Sequence, residues 1–216
     1  MVYNNIIYRV FSSAFLFIAL FILITQYINY LNVIFYIIYL VIFCEIIIYF
    51  RKYNLVFFIS IFYFLTSLIC FKLYFDYFFN LEKFLFTIAI ITVFDISSYF
   101  FGISFGKSKM FPKISPNKTY FGFFSGFFIT IIVSLILNYF FNIINQKIVV
   151  FFIIIIIFSS FLGDLLESIF KRNSGIKNSG ILIPGHGGFF DRFDSFLMSI
   201  NSLYLYSYFF EYYVKN

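Results

Sequence analysis

The run IVVFFIIIIIFSSFLGDLLESIF, residues Ile148–Phe170, decides the fold class of this chain. It contains no charged residue before Asp164, and a helix needs about 20 mostly apolar residues to cross a membrane. The whole chain shares this character, with 63% hydrophobic residues, 11% charged residues and a mean hydropathy of +1.00. Soluble domains carry roughly 25% charged residues, so a soluble fold is excluded. We expect an all-α polytopic membrane protein.

Six further apolar runs are long enough to be spans, which predicts about seven transmembrane helices in a single transmembrane domain, 1–216. We expect residues 1–83 to form N-terminal scaffold helices and residues 84–216 to form the helices and loops of the functional site. The first run lacks a small-residue cleavage site, so we expect no cleavable signal peptide. The predicted spans are Ile6–Ile24, Tyr27–Phe50, Leu55–Phe79, Phe84–Phe105, Tyr120–Phe141, Ile148–Phe170 and Phe189–Val214.

Basic residues concentrate in the cytoplasmic loops of membrane proteins, so their distribution predicts the orientation of the chain. With seven spans and the N-terminus inside, eleven of the 15 Lys and Arg residues lie on the inner side. The net charge of +6 then comes mostly from an inner rim that suits anionic lipid headgroups and nucleotide phosphates. The positive-inside rule alone is the simpler explanation of this rim.

Polar residues concentrate in two windows of the sequence, Asp95–Gly126 and Gly163–Asp194. The windows hold all ten glycines, all three prolines, the single His and 13 of the 24 charged residues. An apolar scaffold has no structural need for such segments. We therefore predict one polar site, and the orientation places it at the cytoplasmic side.

The second window begins as a helix with one polar face. At about 100° per residue, its charged residues fall within an arc of about 140°, with two acids deeper and two bases nearer the surface. Carboxylates inside a membrane are costly and usually functional. Ion pairs formed within this helix end are the alternative explanation. The polar face consists of Asp164, Glu167, Ser168, Lys171 and Arg172.

A glycine-rich loop, residues 173–188, follows this helix. Its glycines, among them Gly187 and Gly188, would let backbone N–H groups approach an anion closely, as phosphate-binding nests do. The loop has no GxxxxGK[ST] sequence, and a single His supplies too few ligands for a zinc site. His186 could donate to a phosphate, act as a general base or order the loop through a hydrogen bond.

Two further acids, Asp191 and Asp194, open the predicted last span at a spacing of three residues. The helix macrodipole also favours acids in a first turn, which is the structural alternative. Together with Asp164 and Glu167 they make four carboxylates near one membrane depth. Such a set suits Mg²⁺, which binds one or two carboxylates and substrate phosphates, and two metal ions could clamp an in-line displacement. The cations that phosphoryl transfer needs are Lys171, Arg172, Lys177 and Arg192.

The first window starts with an acid in the middle of a predicted span. Asp95 shares one helical stripe with small and polar residues, which could form either a helix-packing face or the wall of a polar cavity. The other members of the stripe are Ser98, Tyr99, Gly102 and Gly106.

A basic segment, GKSKMFPKISPNKT, continues the first window. Pro112 and Pro116 exclude a continuous helix, so we expect a loop that binds phosphates or an ordinary inner loop. The spacing of Gly122 and Gly126 permits close helix packing at the start of the next span. The candidate phosphate donors of the segment are Ser115, Asn117, Lys118 and Thr119.

The run SIFKRNSGIKNSGILIPGHGGFFDRFD, residues 168–194, closely resembles the signature of the phosphatidate cytidylyltransferase (CDP-diacylglycerol synthase) family. That signature is Ser, any residue, an apolar residue, Lys-Arg, four residues, Lys-Asp, a spacer, His-Gly-Gly, two residues, Asp-Arg, an apolar residue and Asp. The blocks around Gly163-Asp164, Asp95 and Ser115–Gly122 also look like this family. Together the matching blocks cover about a third of the chain.

The resemblance implies transfer of CMP from CTP to phosphatidic acid, with release of pyrophosphate, at the cytoplasmic face of a bacterial inner membrane. It implies Mg²⁺, with two metal ions as the fuller form, membrane lipid as a partner and no nucleic acid, and it allows a homodimer. By motif position, Asp164 and Asp191 would be metal ligands, supported by Asp194 and Glu167. The residues that would hold phosphates are Lys171, Arg172, Lys177 and Arg192. Substrate contacts would extend to Asp95, Ser115, Asn117, Lys118, Thr119, Gly187 and Gly188. The catalytic residues would be Asp164, Asp191, Lys171, Arg172 and His186.

Two departures from the family pattern stand out. Asn178 replaces the signature acid and loses its charge, and the chain has about seven spans where the family usually has eight or nine. A CTP-dependent polyprenol-type kinase is one alternative, although the HGGxxDRxD ending and the SPxKT block argue against it. A transporter would need acids spread along a conduit, and a degenerate paralogue kept for binding is suggested by Asn178 alone.

Overall fold

The computed structural model describes residues 30–176, 179–180 and 187–212. Six α-helices and two short strands lie in these residues, and a π-helical segment, Tyr208–Tyr212, follows the last helix. The helices are α1 Leu31–Phe50, α2 Asn54–Tyr77, α3 Leu81–Phe105, α4 Tyr120–Phe141, α5 Val149–Asn173 and α6 Phe190–Ser207. The strands are β1 Lys109–Phe111 and β2 Ser115–Thr119.

Five of these helices, α1 to α5, are long and apolar enough to cross a membrane. The prediction of an apolar, helical membrane protein is therefore confirmed, and α4 has the predicted bounds Tyr120–Phe141. Helix α6 is not among the five, because three charged residues lie in its first half. The predicted first span, Ile6–Ile24, lies outside the described residues, so the count of seven spans stays a prediction.

Side-chain caps fix where several helices begin and end. The Asn80 side chain accepts from the Lys83 backbone N–H at the start of α3, and the Thr119 hydroxyl accepts from the Gly122 N–H at the start of α4. Each cap satisfies a donor that has no partner inside its helix. Helix α4 ends at Phe141, and the next residue, Asn142, adopts the left-handed conformation with φ of 50°.

The described chain divides into two compact units. The first comprises residues 30–64 with Phe170–Phe193, and the second comprises Leu65–Ile169 with residues 194–212. The chain passes from one unit to the other within α2, near the end of α5 and near the start of α6. The predicted partition into scaffold helices and site helices at residue 83 stays a prediction.

Small residues let α3 and α4 pack closely in the second unit. A side-chain carbon added to Gly126 would lie 2.8 Å from the Ser98 Cβ, and one added to Gly122 would lie 2.6 Å from the Ser98 carbonyl oxygen. The predicted close packing at these two glycines is thus confirmed. The buried face of α4 continues at every fourth residue as Gly122, Gly126, Thr130, Ser134 and Asn138.

The basic segment between α3 and α4 is an antiparallel hairpin of β1 and β2, with Lys109 opposite Thr119 and Phe111 opposite Ser115. The exclusion of a helix by Pro112 and Pro116 is confirmed. The segment expected as a loop contains this two-stranded hairpin, and the six helices of the described residues agree with the expected all-α membrane fold. Proline excludes a helix interior, but it is tolerated on the edge of a small sheet.

Candidate functional site

The two polar windows of the sequence meet in the second unit. Lys118 at the end of β2 forms an ion pair with Asp164 of α5, at 3.0 Å from Nζ to Oδ2. The ammonium group also lies 4.7 Å from the centre of the Phe161 ring, in the geometry of a cation–π contact. The side chain of Lys118 is 16% exposed and that of Asp164 is 40% exposed. The lysine is therefore held in place, while the carboxylate stays accessible.

Asp95 of α3 joins this cluster. It lies close enough to interact electrostatically with both Asp164 and Lys118. The helix-packing interpretation of its stripe holds at Ser98 and Gly102, and the polar cavity stays a prediction. Ser98 and Gly102 lie against α4, whereas Asp95 faces the charged cluster.

Three other residues of the hairpin, Ser115, Asn117 and Thr119, were predicted to contact substrate. Thr119 is buried and caps α4 through its hydroxyl, which gives it a structural role. Ser115 is half-buried and Asn117 is exposed, both on β2 beside Lys118. Their predicted role in substrate binding stays a prediction.

Two more predicted acids are buried in the second unit. Glu167 on α5 is 1% exposed and Asp194 on α6 is 9% exposed. The backbones of α5 and α6 approach each other here, since a side-chain carbon on Gly163 would collide with the Asp194 carbonyl oxygen. The same carbon would lie 3.0 Å from the Ser195 Cα. The position of Asp194 therefore depends on the absence of a side chain at Gly163.

The first unit holds a second charged cluster around Asp191. Lys171 near the end of α5 donates to Asp191 Oδ1 at 2.9 Å. The backbone N–H of Ser179 donates to Oδ2 at 3.0 Å, and the Gly188 N–H donates to the same oxygen at 3.2 Å. Asp191 returns a hydrogen bond from its own N–H to the Ser179 hydroxyl at 3.1 Å. The carboxylate is thus fixed by one cation and two amides.

Within the described part of the loop, the Gly188 N–H donates to the carboxylate of Asp191. The predicted binding of a phosphate by the glycines of the loop stays a prediction. A side-chain carbon on Gly187, whose φ is +84°, would lie 2.5 Å from Asp191 Oδ2. Gly187 is therefore required both by its left-handed backbone and by the closeness of the carboxylate.

Two more of the predicted cations, Arg172 and Arg192, are exposed, and their predicted binding of phosphate stays a prediction. Lys177 and His186, together with Asn178, lie outside the described residues. Their predicted roles stay predictions.

The polar face of α5 is more than a set of internal ion pairs. Asp164 pairs with Lys118 on β2, and Lys171 pairs with Asp191 on α6, so both form ion pairs with other elements. The alternative of a self-contained helix end therefore does not account for these two residues.

One residue of the first unit escaped the sequence analysis. Glu45 lies in the middle of α1 and is 1% exposed, and its carboxylate accepts from the backbone N–H groups of Phe189 and Phe190. It is the single charged residue between Leu31 and Phe50, and a lone acid in an apolar span is a recognisable signal.

The described residues contain no group of three or more His, Cys, Asp or Glu side chains that could hold a metal ion. Mg²⁺ commonly uses only one or two protein carboxylates and completes its shell with water and substrate phosphates. The accessible carboxylate of Asp164 fits that type of binding. The predicted set of four metal-binding acids stays a prediction.

The amino-acid sequence is similar to known proteins over about half of its length. A phosphatidate cytidylyltransferase of Staphylococcus epidermidis is 48% identical over 105 residues, which are 48% of this chain and 40% of that protein. The corresponding protein of Staphylococcus aureus is 49% identical over 105 residues, with the same coverage. The match therefore spans less than half the length of these relatives. The pattern of the cytidylyltransferase family matches residues 2–210, and the chain therefore belongs to the cytidylyltransferase family.

Proposed function

We propose that this protein transfers CMP from CTP to phosphatidic acid and forms CDP-diacylglycerol and pyrophosphate. The observation that carries the proposal is the identity of 48–49% over 105 residues to proteins named phosphatidate cytidylyltransferase. Apolar helices with accessible charged clusters suit a reaction between a membrane lipid and a water-soluble nucleotide.

The proposed reaction is a single displacement at phosphorus. A phosphate oxygen of phosphatidic acid attacks the α-phosphorus of CTP, a new P–O–P bond forms, and the bond to the β-phosphate oxygen breaks. Pyrophosphate leaves with the electron pair of that bond. No covalent enzyme intermediate is needed, so positioning and charge stabilisation are the main tasks of the protein.

The basic residues are suited to holding the phosphates. Arg172 and Arg192 are exposed and can bind phosphate oxygens in a bidentate manner. Lys171 and Lys118 are largely buried and paired with acids. The ammonium group of each could shift its contact from the paired acid to a phosphate of the bound substrate. Lys177 and the donors of the hairpin would add further contacts.

Asp164 and Asp191 would each hold a Mg²⁺ ion, with Asp194 and Glu167 as supporting acids. A bound Mg²⁺ would neutralise charge on the triphosphate and on the departing pyrophosphate. Asp164 is suited to this task because 40% of its side chain is exposed. Asp191 would keep its orientation through the amides of Ser179 and Gly188.

The proposed location is the inner membrane of a bacterium, with both charged clusters facing the cytoplasm. The distribution of Lys and Arg supports this orientation, because the basic rim then lies on the side that supplies CTP. Membrane lipid is the partner implied by the substrate, and a homodimer is compatible with the arrangement.

The position of a radioactive label tests the chemistry. Purified protein in detergent would receive CTP labelled at the α-phosphate or at the γ-phosphate, with either phosphatidic acid or a polyprenol as acceptor. We expect only the α-label to enter lipid, and only with phosphatidic acid. Transfer of the γ-label to the polyprenol would show a CTP-dependent lipid kinase instead.

A further inference from the structure

A buried carboxylate with no part in the proposed chemistry lies at the start of α6. Glu45 is 1% exposed in the middle of α1. Its Oε1 accepts the N–H of Phe189 at 3.0 Å, and its Oε2 accepts the N–H of Phe190 at 2.8 Å. These donors belong to a helix N-terminus, where backbone N–H groups have no partner within the helix. The negative charge is also favourable at this end of the macrodipole.

The surrounding backbone is shaped to admit this carboxylate. A side-chain carbon on Gly188 would lie 2.7 Å from both carboxylate oxygens of Glu45. A side-chain carbon on Gly180 would lie 2.5 Å from Oε1 and 2.9 Å from the Gly188 Cα. Both positions therefore require glycine for a reason that involves Glu45 directly.

The carboxylates of Glu45 and Asp191 accept hydrogen bonds from the same backbone turn. Four consecutive backbone amides, from Gly188 to Asp191, each donate to a side-chain oxygen. The outer two serve the Asp191 carboxylate and the Ser179 hydroxyl, at 3.2 and 3.1 Å. The inner two serve Glu45. A shift of the inner pair would therefore move the Gly188 amide away from Asp191.

We propose that Glu45 is a positioning residue, which orients the Asp191 carboxylate by fixing the turn from Gly188 to Phe190. This inference rests on the proposed function, in which Asp191 acts at the phosphates. A carboxylate suits the task because both of its oxygens accept hydrogen bonds. Glutamine has one oxygen and one amide donor, so Glu45→Gln would leave one backbone N–H facing another donor.

Hydrogen–deuterium exchange tests the structural half of this proposal without any need for activity. Purified Glu45→Gln would be compared with wild type and with Glu82→Gln, which makes the same chemical change at an exposed acid on α3. We expect amides 188–191 to exchange at least tenfold faster in Glu45→Gln, while α3 and α4 exchange at the wild-type rate. Unchanged exchange at 188–191, or faster exchange throughout the protein, would overturn the proposal.

Steady-state kinetics test the functional half. We expect kcat of Glu45→Gln to fall about 10- to 100-fold, as is usual when a residue behind a functional side chain is lost, with KM for CTP within threefold of wild type. Glu82→Gln should match wild type in both constants. A kcat of Glu45→Gln within twofold of wild type, or a loss confined to KM, would overturn the proposal. If wild type itself shows no turnover, the proposed function fails while the exchange experiment still decides how Glu45 acts on Asp191.

Discussion

Gly163 is a position in the second unit where the structure leaves no room for a single added methyl group. In Gly163→Ala the new carbon would collide with the Asp194 carbonyl oxygen and lie 3.0 Å from the Ser195 Cα. Ordinary contact begins at 3.4 Å, so the Ser195 Cα must retreat by at least 3.4 − 3.0 = 0.4 Å, and the carbonyl must retreat further. Both atoms belong to the backbone of α6, so rotation of a side chain cannot relieve the contact.

The expected cost follows from this geometry. Overpacking of a tight site destabilises a protein by about 1–3 kcal/mol. For a chain of this size the loss corresponds to a fall in Tm of roughly 2–12 °C, at about 2–4 °C per kcal/mol. The displaced backbone carries Asp194, and a misplacement of about 1 Å near a reacting centre costs about 100-fold in rate. We therefore expect a loss of turnover larger than the loss of stability alone would produce.

Thermal unfolding in detergent and turnover with CTP and phosphatidic acid would measure the two effects. Val150→Ile is the matched control, because it adds one methyl group to the same helix at a residue that is 42% exposed. The reasoning is refuted if Gly163→Ala unfolds within 1 °C of Val150→Ile and turns over within twofold of it.

Four further substitutions give distinct expectations. Asp191→Ala should leave a protein that inserts into the membrane with under a tenth of wild-type turnover, and a higher residual activity in the CTP assay would contradict its role. Asn178→Asp should keep wild-type turnover, since it restores the acid of the family pattern; an inactive variant would show that the local geometry has diverged. Lys118→Gln should change the free energy of unfolding by about 1 kcal/mol or less, because its partner Asp164 is 40% exposed. It should nevertheless lower kcat about 100-fold. A loss of kcat no larger than the loss of stability explains would contradict a role at the phosphates. Gly126→Val should lower Tm more than Ile132→Val, because only the side chain added at position 126 would overlap with Ser98. Ile132 is the control because it lies on the same helix and is 58% exposed. Equal Tm values for the two variants would contradict close packing of α3 and α4.

Hydropathy alone predicted most of the helices, because a span must be apolar over its whole length and polar residues mark its ends. Helix α4 matches its predicted bounds, and α5 runs three residues past its predicted end, through Lys171 and Arg172 to Asn173. The hairpin was missed because prolines identify what a segment cannot form and say little about what it does form. Pairing of β1 with β2 joins residues four and ten positions apart, and the polar and basic residues of this segment show no strand alternation that would predict the pairing.

The sequence indicated which residues belong to the candidate site, but it did not show which of them contact one another. The charged residues stood out through their rarity in an apolar chain. Their partners did not, because the pairs Lys118–Asp164 and Lys171–Asp191 join residues 46 and 20 positions apart, and periodicity along one helix cannot show such pairs. Glu45 was missed because it lies outside both polar windows, although its isolation in α1 was a usable signal.

The ratio of lipid-bound label to released pyrophosphate tests the central claim most directly. Wild-type protein in detergent with Mg²⁺, phosphatidic acid and CTP labelled at the α-phosphate should give one mole of labelled lipid for each mole of pyrophosphate, and Asp191→Ala should give neither above a tenth of that amount. Release of pyrophosphate without label in the lipid, or no turnover by the wild type, would contradict the transfer of CMP to phosphatidic acid.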